Sequence, residues 1–274
     1  MKTNISCIYT LLFLLFCSSV HGQGILFSEY RLILKAGEIR TLQVCNPTDE
    51  TRSYKLYSVD KTMKDGGGLV DVPLSINHPT SLKKQLRIFP KRITLAPNEC
   101  QEVQLQLKNT SQLPDGEFRS FLFFLPLVSA DTKKLDPTII SKGTTPNIIM
   151  RIGAAIPIFY RKNTHVDNVF IDKVSLKKDS INRHTLSLRL NREGTQSTYG
   201  VVEVKCKSKG EPIVVATKYG NAMYAETNWK ELSIPIHTDS LDIDASGKIP
   251  FSISYTNSEK GSNLETFTEW NGAL

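Results

Sequence analysis

Short runs in which apolar and polar residues alternate recur along almost the whole sequence. Gly, Pro, Asn or Asp stand close to most of these runs. Alternation with period two is typical of strands with one buried face, and short strands separated by turn residues are typical of β-sandwiches. The apolar positions of the clearest runs are Tyr30-Leu32-Leu34, Leu42-Val44, Val103-Leu105-Leu107, Leu186-Leu188-Leu190, Val202-Val204, Leu232-Ile234-Ile236 and Phe251-Ile253-Tyr255. The pattern therefore predicts an all-β protein.

A short polar stretch divides the sequence into two parts of similar character. Residues 161–165, Arg-Lys-Asn-Thr-His, lie between one apolar run and the next, Val169-Phe170-Ile171. A chain of 274 residues also exceeds the usual size of one domain. We therefore expect two immunoglobulin-like β-sandwich domains, 23–161 and 166–274, because each part has the length and number of strands of that fold.

The apolar run at residues 147–161 contains a proline. Alternate residues from Ile148 to Ile158 are apolar and would share one face of a strand. Pro157 cannot donate a ladder hydrogen bond, so the strand is expected at a sheet edge. Two interpretations stay open: the apolar face packs inside this protein's own sandwich, or the strand pairs with a partner by β-augmentation. Residues 128–145, which precede it, show no strand or helix pattern, and connections of that length are often functional.

The first 22 residues have the features of an export signal. Lys2 precedes an apolar run, Cys7 to Cys17, that is too short to span a bilayer, and small residues follow near Gly22. We expect residues 1–22 to be a cleaved signal peptide and the mature protein to be exported; a lipoprotein acylated at Cys17 is the alternative. Cleavage would lower the formal net charge from +7 to +6, because Lys2 is the one charged residue removed. The basic residues are scattered, so we expect no nucleic-acid partner.

Neither motifs nor spacing point to catalysis. The sequence has no Gly-x-Ser-x-Gly and no His-Glu-x-x-His, and the glycine run Asp65-Gly66-Gly67-Gly68 lacks the lysine of a phosphate-binding loop and is interpreted as a turn. The histidines are isolated, and no cysteine spacing predicts a metal site. We therefore expect no enzymatic activity, no cofactor, no metal and no small-molecule substrate.

Two of the cysteines beyond the signal segment, Cys45 and Cys100, could form a disulfide. Cys45 ends one predicted strand and Cys100 begins another, each on the face opposite the apolar residues. If the two strands pair antiparallel, both side chains come within reach on the outer face. An oxidising compartment would permit the bond, and two unpaired thiols are the alternative.

Several segments, taken in their order and spacing, resemble the periplasmic chaperones of the chaperone–usher pathway, which assemble pili and fimbriae, and in particular their non-classical branch. The matching segments are 31–34, 37–38, 42–46, 89–90, 93–98, 113–120 and 156–161 in the first half, and 194–200 and 222–226 in the second. The resemblance implies two immunoglobulin-like domains set at an angle, a periplasmic location and a non-catalytic function.

The resemblance also implies a mechanism. The chaperone lends its seventh strand to a pilus subunit whose own fold lacks one, and delivers the subunit to an outer-membrane usher. By position, the donated side chains are Ile148, Met150, Ile152, Ala154 and Ile156. Full burial of one large apolar side chain contributes about 1.5–3 kcal/mol before ordering costs.

In this family two basic residues between the domains hold the C-terminal carboxylate of the subunit. Arg31 matches the first by position, whereas Pro157 stands where the family has a lysine. We expect Arg119 to take the second position, with Arg151 or Arg161 as alternatives, because arginine binds a carboxylate through two hydrogen bonds. The alternative to the whole interpretation is a structural surface protein, such as an adhesin or a pilus subunit, built of immunoglobulin-like domains.

Overall fold

The structure, a computed structural model, describes residues 24–73, 75–127, 152–178, 183–206, 211–236, 248–261 and 264–274. The predicted signal peptide, the connection 128–145 and the residues Ile148, Met150 and Arg151 lie outside these ranges. Within them the chain forms β-strands and one short 3-10 helix, Thr110–Gln112, so the all-β prediction is confirmed. Over the same ranges, no helix is both long and apolar enough to cross a membrane.

The first half of the chain folds into two facing sheets and a small hairpin. Its strands are β1 Leu26–Phe27, β2 Leu32–Ile33, β3 Ile39–Cys45, β4 Arg52–Val59, β5 Lys61–Met63, β6 Leu69–Asp71, β7 Leu86–Phe89, β8 Arg92–Leu95, β9 Cys100–Leu107, β10 Gly116–Pro126 and β11 Ala154–Lys162. One sheet has the order β1-β3-β9-β7, the other has the order β2-β11-β10-β4-β8, and β5 pairs with β6 alone. Every pairing is antiparallel except that between β2 and β11.

The alternating apolar residues of these strands meet between the two sheets. Leu42 and Val44 of β3 and Val103 and Leu105 of β9 are fully buried, as is Leu122 of β10 in the facing sheet. The side chains between them on the strands are mostly exposed or half-buried, which is the arrangement expected when one face of each sheet meets solvent. The first half is thus a sandwich with its own core.

The second half forms a separate sandwich with a second core. Its strands are β12 Val166–Lys178, β13 His184–Gly194, β14 Thr198–Cys206, β15 Ile213–Met223, β16 Trp229–Ile236, β17 Pro250–Asn257 and β18 Thr266–Ala273. They form one sheet of order β12-β13-β16 and one of order β15-β14-β17-β18. Buried leucines of β13 and β16 pack against buried valines of β14 and apolar residues of β17 in this core. The chain is therefore built of two immunoglobulin-like sandwiches, as its pattern predicts.

Three residues connect the two sandwiches, since β11 ends at Lys162 and β12 begins at Val166. The backbone carbonyl of His165 accepts hydrogen bonds from the amides of Thr195 and Gln196, both at 2.9 Å. On the other side, Nδ2 of Asn163 donates to Oδ2 of Asp115 at 3.0 Å. The connection is therefore bonded to loops of both domains.

Cys45 and Cys100 are joined by a disulfide. They are directly opposite each other where the end of β3 meets the start of β9 in an antiparallel pairing. Cys100 is exposed and Cys45 is half-buried, so the bond lies on the outer face of the sheet.

Candidate functional site

Among the residues that the structure describes, the N-terminal half of β11 has a strand partner on one side and an open edge on the other. On one side β11 pairs with β10 from Ala154 to Lys162. On the other side it pairs with β2 at Ile158 and Phe159. Pro157 lies just before that two-residue ladder, where it has no strand partner on that side, so its missing N–H costs no ladder bond there. The described residues thus leave this edge unpaired before Ile158, as predicted, and β2 pairs with it at Ile158 and Phe159.

The predicted apolar row continues from β11 to Ile152, two residues before the strand begins, and leaves the protein core there. Ile158 and Ile156 are 0% and 1% exposed and belong to the first core. Ala154 is half-buried against the same core, and Ile152 is 80% exposed. The row therefore runs from buried to exposed within a few residues.

This gradient corrects one residue of the predicted donor set. Ile156 was expected to offer its side chain to a partner, but it is packed inside its own sandwich and cannot do so in this conformation. Ile152 is exposed, and Ala154 lies between the two states. Ile148 and Met150, the other predicted donors, lie outside the described residues.

The predicted anchor Arg31 lies between the domains and holds an acidic residue of the second. Its Nε donates to Oε1 of Glu259 at 2.7 Å, and its Nη2 donates to Oγ of Ser197 at 3.0 Å. The side chains of Arg31 and Glu259 are 8% and 11% exposed. The remaining nitrogen, Nη1 of Arg31, is buried without a hydrogen-bond partner among the described residues. Arg31 therefore keeps an unused donor.

Glu259 is shared with a second guanidinium, that of Arg161 at the end of β11. Arg161 Nη1 and Nη2 lie 2.5 and 3.1 Å from the two carboxylate oxygens of Glu259. Burial works to raise the pKa of Glu259, but the hydrogen bond from Arg161 and the charge of Arg31 outweigh it, so this pKa lies below its usual value. Burial likewise opposes the charge of Arg161, but Glu259 and Glu117 hold its pKa above the usual value.

Glu117 of β10 completes this charged cluster from the first domain. Its Oε2 accepts hydrogen bonds from Nε of Arg161 at 2.8 Å, and from the hydroxyl and the amide of Ser197 at 2.8 and 3.1 Å. The Glu117 side chain is 1% exposed. Two guanidinium groups and two carboxylates thus balance in charge across the domain boundary, as buried ion pairs require.

The second predicted anchor, Arg119, forms a separate ion pair across the same boundary. Its Nη1 and Nη2 lie 3.1 and 2.5 Å from the two carboxylate oxygens of Glu226, which lies between β15 and β16. Its Nη2 also donates to the carbonyl of Lys61 at 2.8 Å, and the amide of Met63 donates to Glu226 at 2.8 Å. Burial works to raise the pKa of Glu226, but these bonds outweigh it and lower that pKa.

Aromatic rings lie between the two charged groups. The guanidinium of Arg31 stacks 3.8 Å from the ring centre of Phe159, and that of Arg119 lies 3.7 Å from the ring centre of Tyr224. The two rings are 5.9 Å apart. Burial raises the pKa of Tyr224, so its phenol stays neutral. Stacking on aromatic faces suits arginine better than lysine and fixes the plane of each guanidinium.

The structure therefore brings Arg31 and Arg119 to one interdomain layer but places the open strand edge elsewhere. Ile152 precedes Arg161 by nine residues, a separation of up to about 30 Å along extended chain. A partner that used both would have to lie along the whole of β11.

Sequence reasoning missed the acidic partners Glu226 and Glu259. They lie in polar turns, where no hydrophobic period marks them. The one available signal was local: the segments 194–200 and 222–226, which carried the resemblance in the second half, contain Ser197 and Glu226.

Comparisons of this chain with known proteins give different results by sequence and by structure. No protein-family model matches the sequence, and no curated protein matches it. Many solved structures, in contrast, match the fold over most of the chain.

The solved structures that match include fimbrial chaperones. The chaperone–tip subunit pre-assembly complex CsuC–CsuE of the archaic Csu pili of Acinetobacter baumannii matches at 12% identity and a TM-score of 0.46, over 90% of this chain and 97% of that one. The Pseudomonas aeruginosa chaperone CupB2 matches at 15% identity and a TM-score of 0.41, over 91% and 100%. The complex of the Salmonella enterica pilin SafA with the chaperone SafB matches at 12% identity and a TM-score of 0.41, over 92% and 96%. Over most of its length this chain thus resembles solved structures of fimbrial chaperones. At these low sequence identities the likeness concerns the fold alone.

Proposed function

We propose that this chain is a periplasmic chaperone that stabilises fimbrial or pilus subunits by donating the edge of β11 to them, and that it passes them to an outer-membrane usher. The observation that carries the proposal is the open edge of β11 together with its apolar row. A strand whose core-facing row continues into solvent beside unpaired backbone groups is suited to β-augmentation. The backbone would supply hydrogen bonds, and the exposed side chains would supply specificity.

The donated side chains are proposed to be Ile152 together with Ile148 and Met150, which alternation places on the same face. Ala154 would mark the point where the row passes from the chaperone's own core to the partner. Each large side chain that becomes fully buried in a subunit would contribute about 1.5–3 kcal/mol.

Arg31 is proposed as the anchor for the C-terminal carboxylate of the subunit. Its buried Nη1 has no partner among the described residues, so it can donate to a further carboxylate oxygen while its Nε keeps Glu259. Glu259 would remain held by Arg161 during binding. Arg119, the second proposed anchor, differs in having both of its Nη groups on Glu226 already.

Co-purification from the periplasm tests this function. The tagged chain, expressed with a fimbrial subunit, is expected to retain it, and the triple variant with serine at positions 148, 150 and 152 is expected to fold but lose it. Retention of the subunit by the folded triple variant would contradict strand donation. Failure of the wild-type chain to retain any fimbrial subunit would favour the structural surface protein instead.

A further inference from the structure

Arg119 presents the fork that an incoming carboxylate would need, but an acidic residue of this chain already fills it. Two nitrogens of the guanidinium meet the two oxygens of Glu226, at 3.1 and 2.5 Å. That bidentate geometry is the one in which arginine binds a free carboxylate. The Arg119 side chain is 5% exposed, so no third group reaches the fork from solvent while Glu226 is there.

We propose that Glu226 is an exchangeable internal ligand, which occupies Arg119 in the free chain and gives way to the C-terminal carboxylate of a bound subunit. The inference rests on the proposed function and adds a residue that decides which ligands can use Arg119.

Exchange of one carboxylate for another would keep the buried guanidinium of Arg119 paired with a negative charge at all times. A guanidinium as buried as that of Arg119 would be strongly destabilising if it had no counter-charge before a subunit arrived. Glu226 supplies that charge in the free chain. Replacing it by the terminal carboxylate of a subunit keeps one negative group at the fork throughout.

Glu226 is also the acidic residue of this interface that can most easily leave. Its side chain is 23% exposed, compared with 11% for Glu259 and 1% for Glu117. Glu226 therefore has a path to water, where a released carboxylate is well solvated.

The backbone beside Glu226 is held independently of its side chain. Arg192, which is 1% exposed, donates from Nη2 to the carbonyls of Ala225 and Thr227 at 3.1 and 3.2 Å. The amide of Thr227 also donates to the carbonyl of Tyr224 at 3.0 Å. Rotation of the Glu226 side chain would thus leave the turn in place, at the cost of its bonds to Arg119 and to the amide of Met63.

The exchange makes Arg119 selective for ligands that bind elsewhere as well. A small carboxylate must displace Glu226 using its two hydrogen bonds alone, so it gains little. A subunit that also pairs with the β11 edge brings additional binding energy and is present at high effective concentration beside Arg119. The apparent affinity for the subunit is still reduced by the fraction of chains in which Glu226 occupies the fork.

Acetate tests the exchange site without a subunit. Glu226→Ala should leave an open fork that acetate can enter through the exposed side. Acetate is expected to raise the thermal unfolding midpoint of Glu226→Ala above its value in chloride at equal ionic strength. No such acetate-specific shift is expected in the wild type, in the Arg119→Ala/Glu226→Ala double variant, or in Glu203→Ala, which removes a half-buried carboxylate paired with Lys205. Equal midpoints of Glu226→Ala in the two salts would overturn the proposal.

A subunit-binding assay tests whether the group that replaces Glu226 at Arg119 is the C-terminal carboxylate of a subunit. The dissociation constant for a fimbrial subunit is expected to be about tenfold lower with Glu226→Ala than with the wild type, since the competing ligand is gone. A subunit amidated at its C-terminus is expected to show no gain. Equal or weaker subunit binding by Glu226→Ala would mean that Glu226 only stabilises the contact between the domains. That result would overturn the proposed ligand exchange. If acetate acts as expected but neither protein binds any subunit, the proposed chaperone function fails, and with it the occupant named here.

Discussion

Arg161 and Glu259 meet across the domain boundary with two hydrogen bonds, at 2.5 and 3.1 Å. The pKa of Glu259 is lowered in the folded chain, so this carboxylate contributes stability above its usual value of 4.5 and loses that contribution as the pH falls through the folded value. Glu226 shifts in the same direction. The contact between the domains is therefore expected to weaken in acid.

Urea unfolding measured between pH 3 and 7 checks this expectation. The wild-type midpoint should fall below about pH 4.5 more steeply than that of Glu259→Gln, which lacks the titrating group. The variant should be less stable than the wild type at pH 7, and the two should converge in acid. Parallel pH profiles would show that Glu259 contributes nothing to the linkage.

Loss of Arg31 should destabilise the domain contact as well as subunit binding. Arg31→Ala leaves Glu259 with one of its two guanidinium partners and removes the stack on Phe159. Breaking a mostly buried pair costs about 3 kcal/mol. The control is Arg40→Ala, which removes a more exposed arginine from Glu29 and should cost about 1 kcal/mol at most. Equal unfolding free energies for the two variants would contradict the buried role of Arg31.

Substitution of Ile156 in β11 and of Ile152, two residues before β11 begins, should have opposite effects. Ile156→Ala removes a core side chain and should cost about 2–5 kcal/mol of folding stability. Ile152→Ala removes an exposed one and should leave stability within about 0.5 kcal/mol of the wild type. Subunit affinity should nevertheless fall about tenfold with Ile152→Ala, if Ile152 becomes buried in the subunit. Denaturation and binding measured on the same preparations separate the two roles.

Two glycines in the turn between β5 and β6 allow a matched pair of substitutions that tests the contact between the domains. Gly66 and Gly68 both have positive φ, at 82° and 89°, so alanine is strained at either position. A Cβ at Gly66 would also lie 3.1 Å from the ring of Trp229 in the second domain, whereas a Cβ at Gly68 meets nothing within 4 Å. Gly66→Ala should therefore lower the thermal midpoint more than Gly68→Ala. Equal shifts would mean that the turn does not depend on Trp229.

The disulfide should stabilise the first sandwich. Cys45 and Cys100 are 55 residues apart, and closing a loop of that length contributes about 4 kcal/mol in the chain-entropy model. The Cys45→Ala/Cys100→Ala variant should unfold at lower urea than the wild type and should not respond to reductant, whereas reductant should destabilise the wild type. A wild type that is indifferent to reductant would argue against the bond.

Alternation in the sequence was enough to predict strands β2, β3, β9, β13, β14, β16 and β17 and the core residues that they carry. Leu42, Val44, Leu188 and Val202 follow the period of two and are buried, because a strand with one wet face must place such residues inward. Tyr30 fits the same pattern but is 62% exposed, since its run begins outside β2. The rule therefore weakens at strand ends, where neighbouring strands decide what is covered.

Two features of the site could not be predicted for a physical reason. Ile152 and Ile156 occupy equivalent positions in the alternating pattern. They differ in burial, because the first core packs against Ile156 but does not extend to Ile152. The acidic partners of the arginines lie far away in sequence: Glu226 is 107 residues from Arg119, and Glu259 is 228 residues from Arg31. Pairing over such distances follows from how two domains dock, which no local period records.

The exposed isoleucine at the open edge of β11 also has a consequence for the concentration at which the chain can be handled. Unpaired backbone beside an apolar side chain can pair with the same edge of another molecule. That association is bimolecular, so its extent grows with the amount of free chain. Because the proposed function covers this edge with a subunit, we expect self-association when the chain is in excess over the subunit, and less of it when the two are balanced.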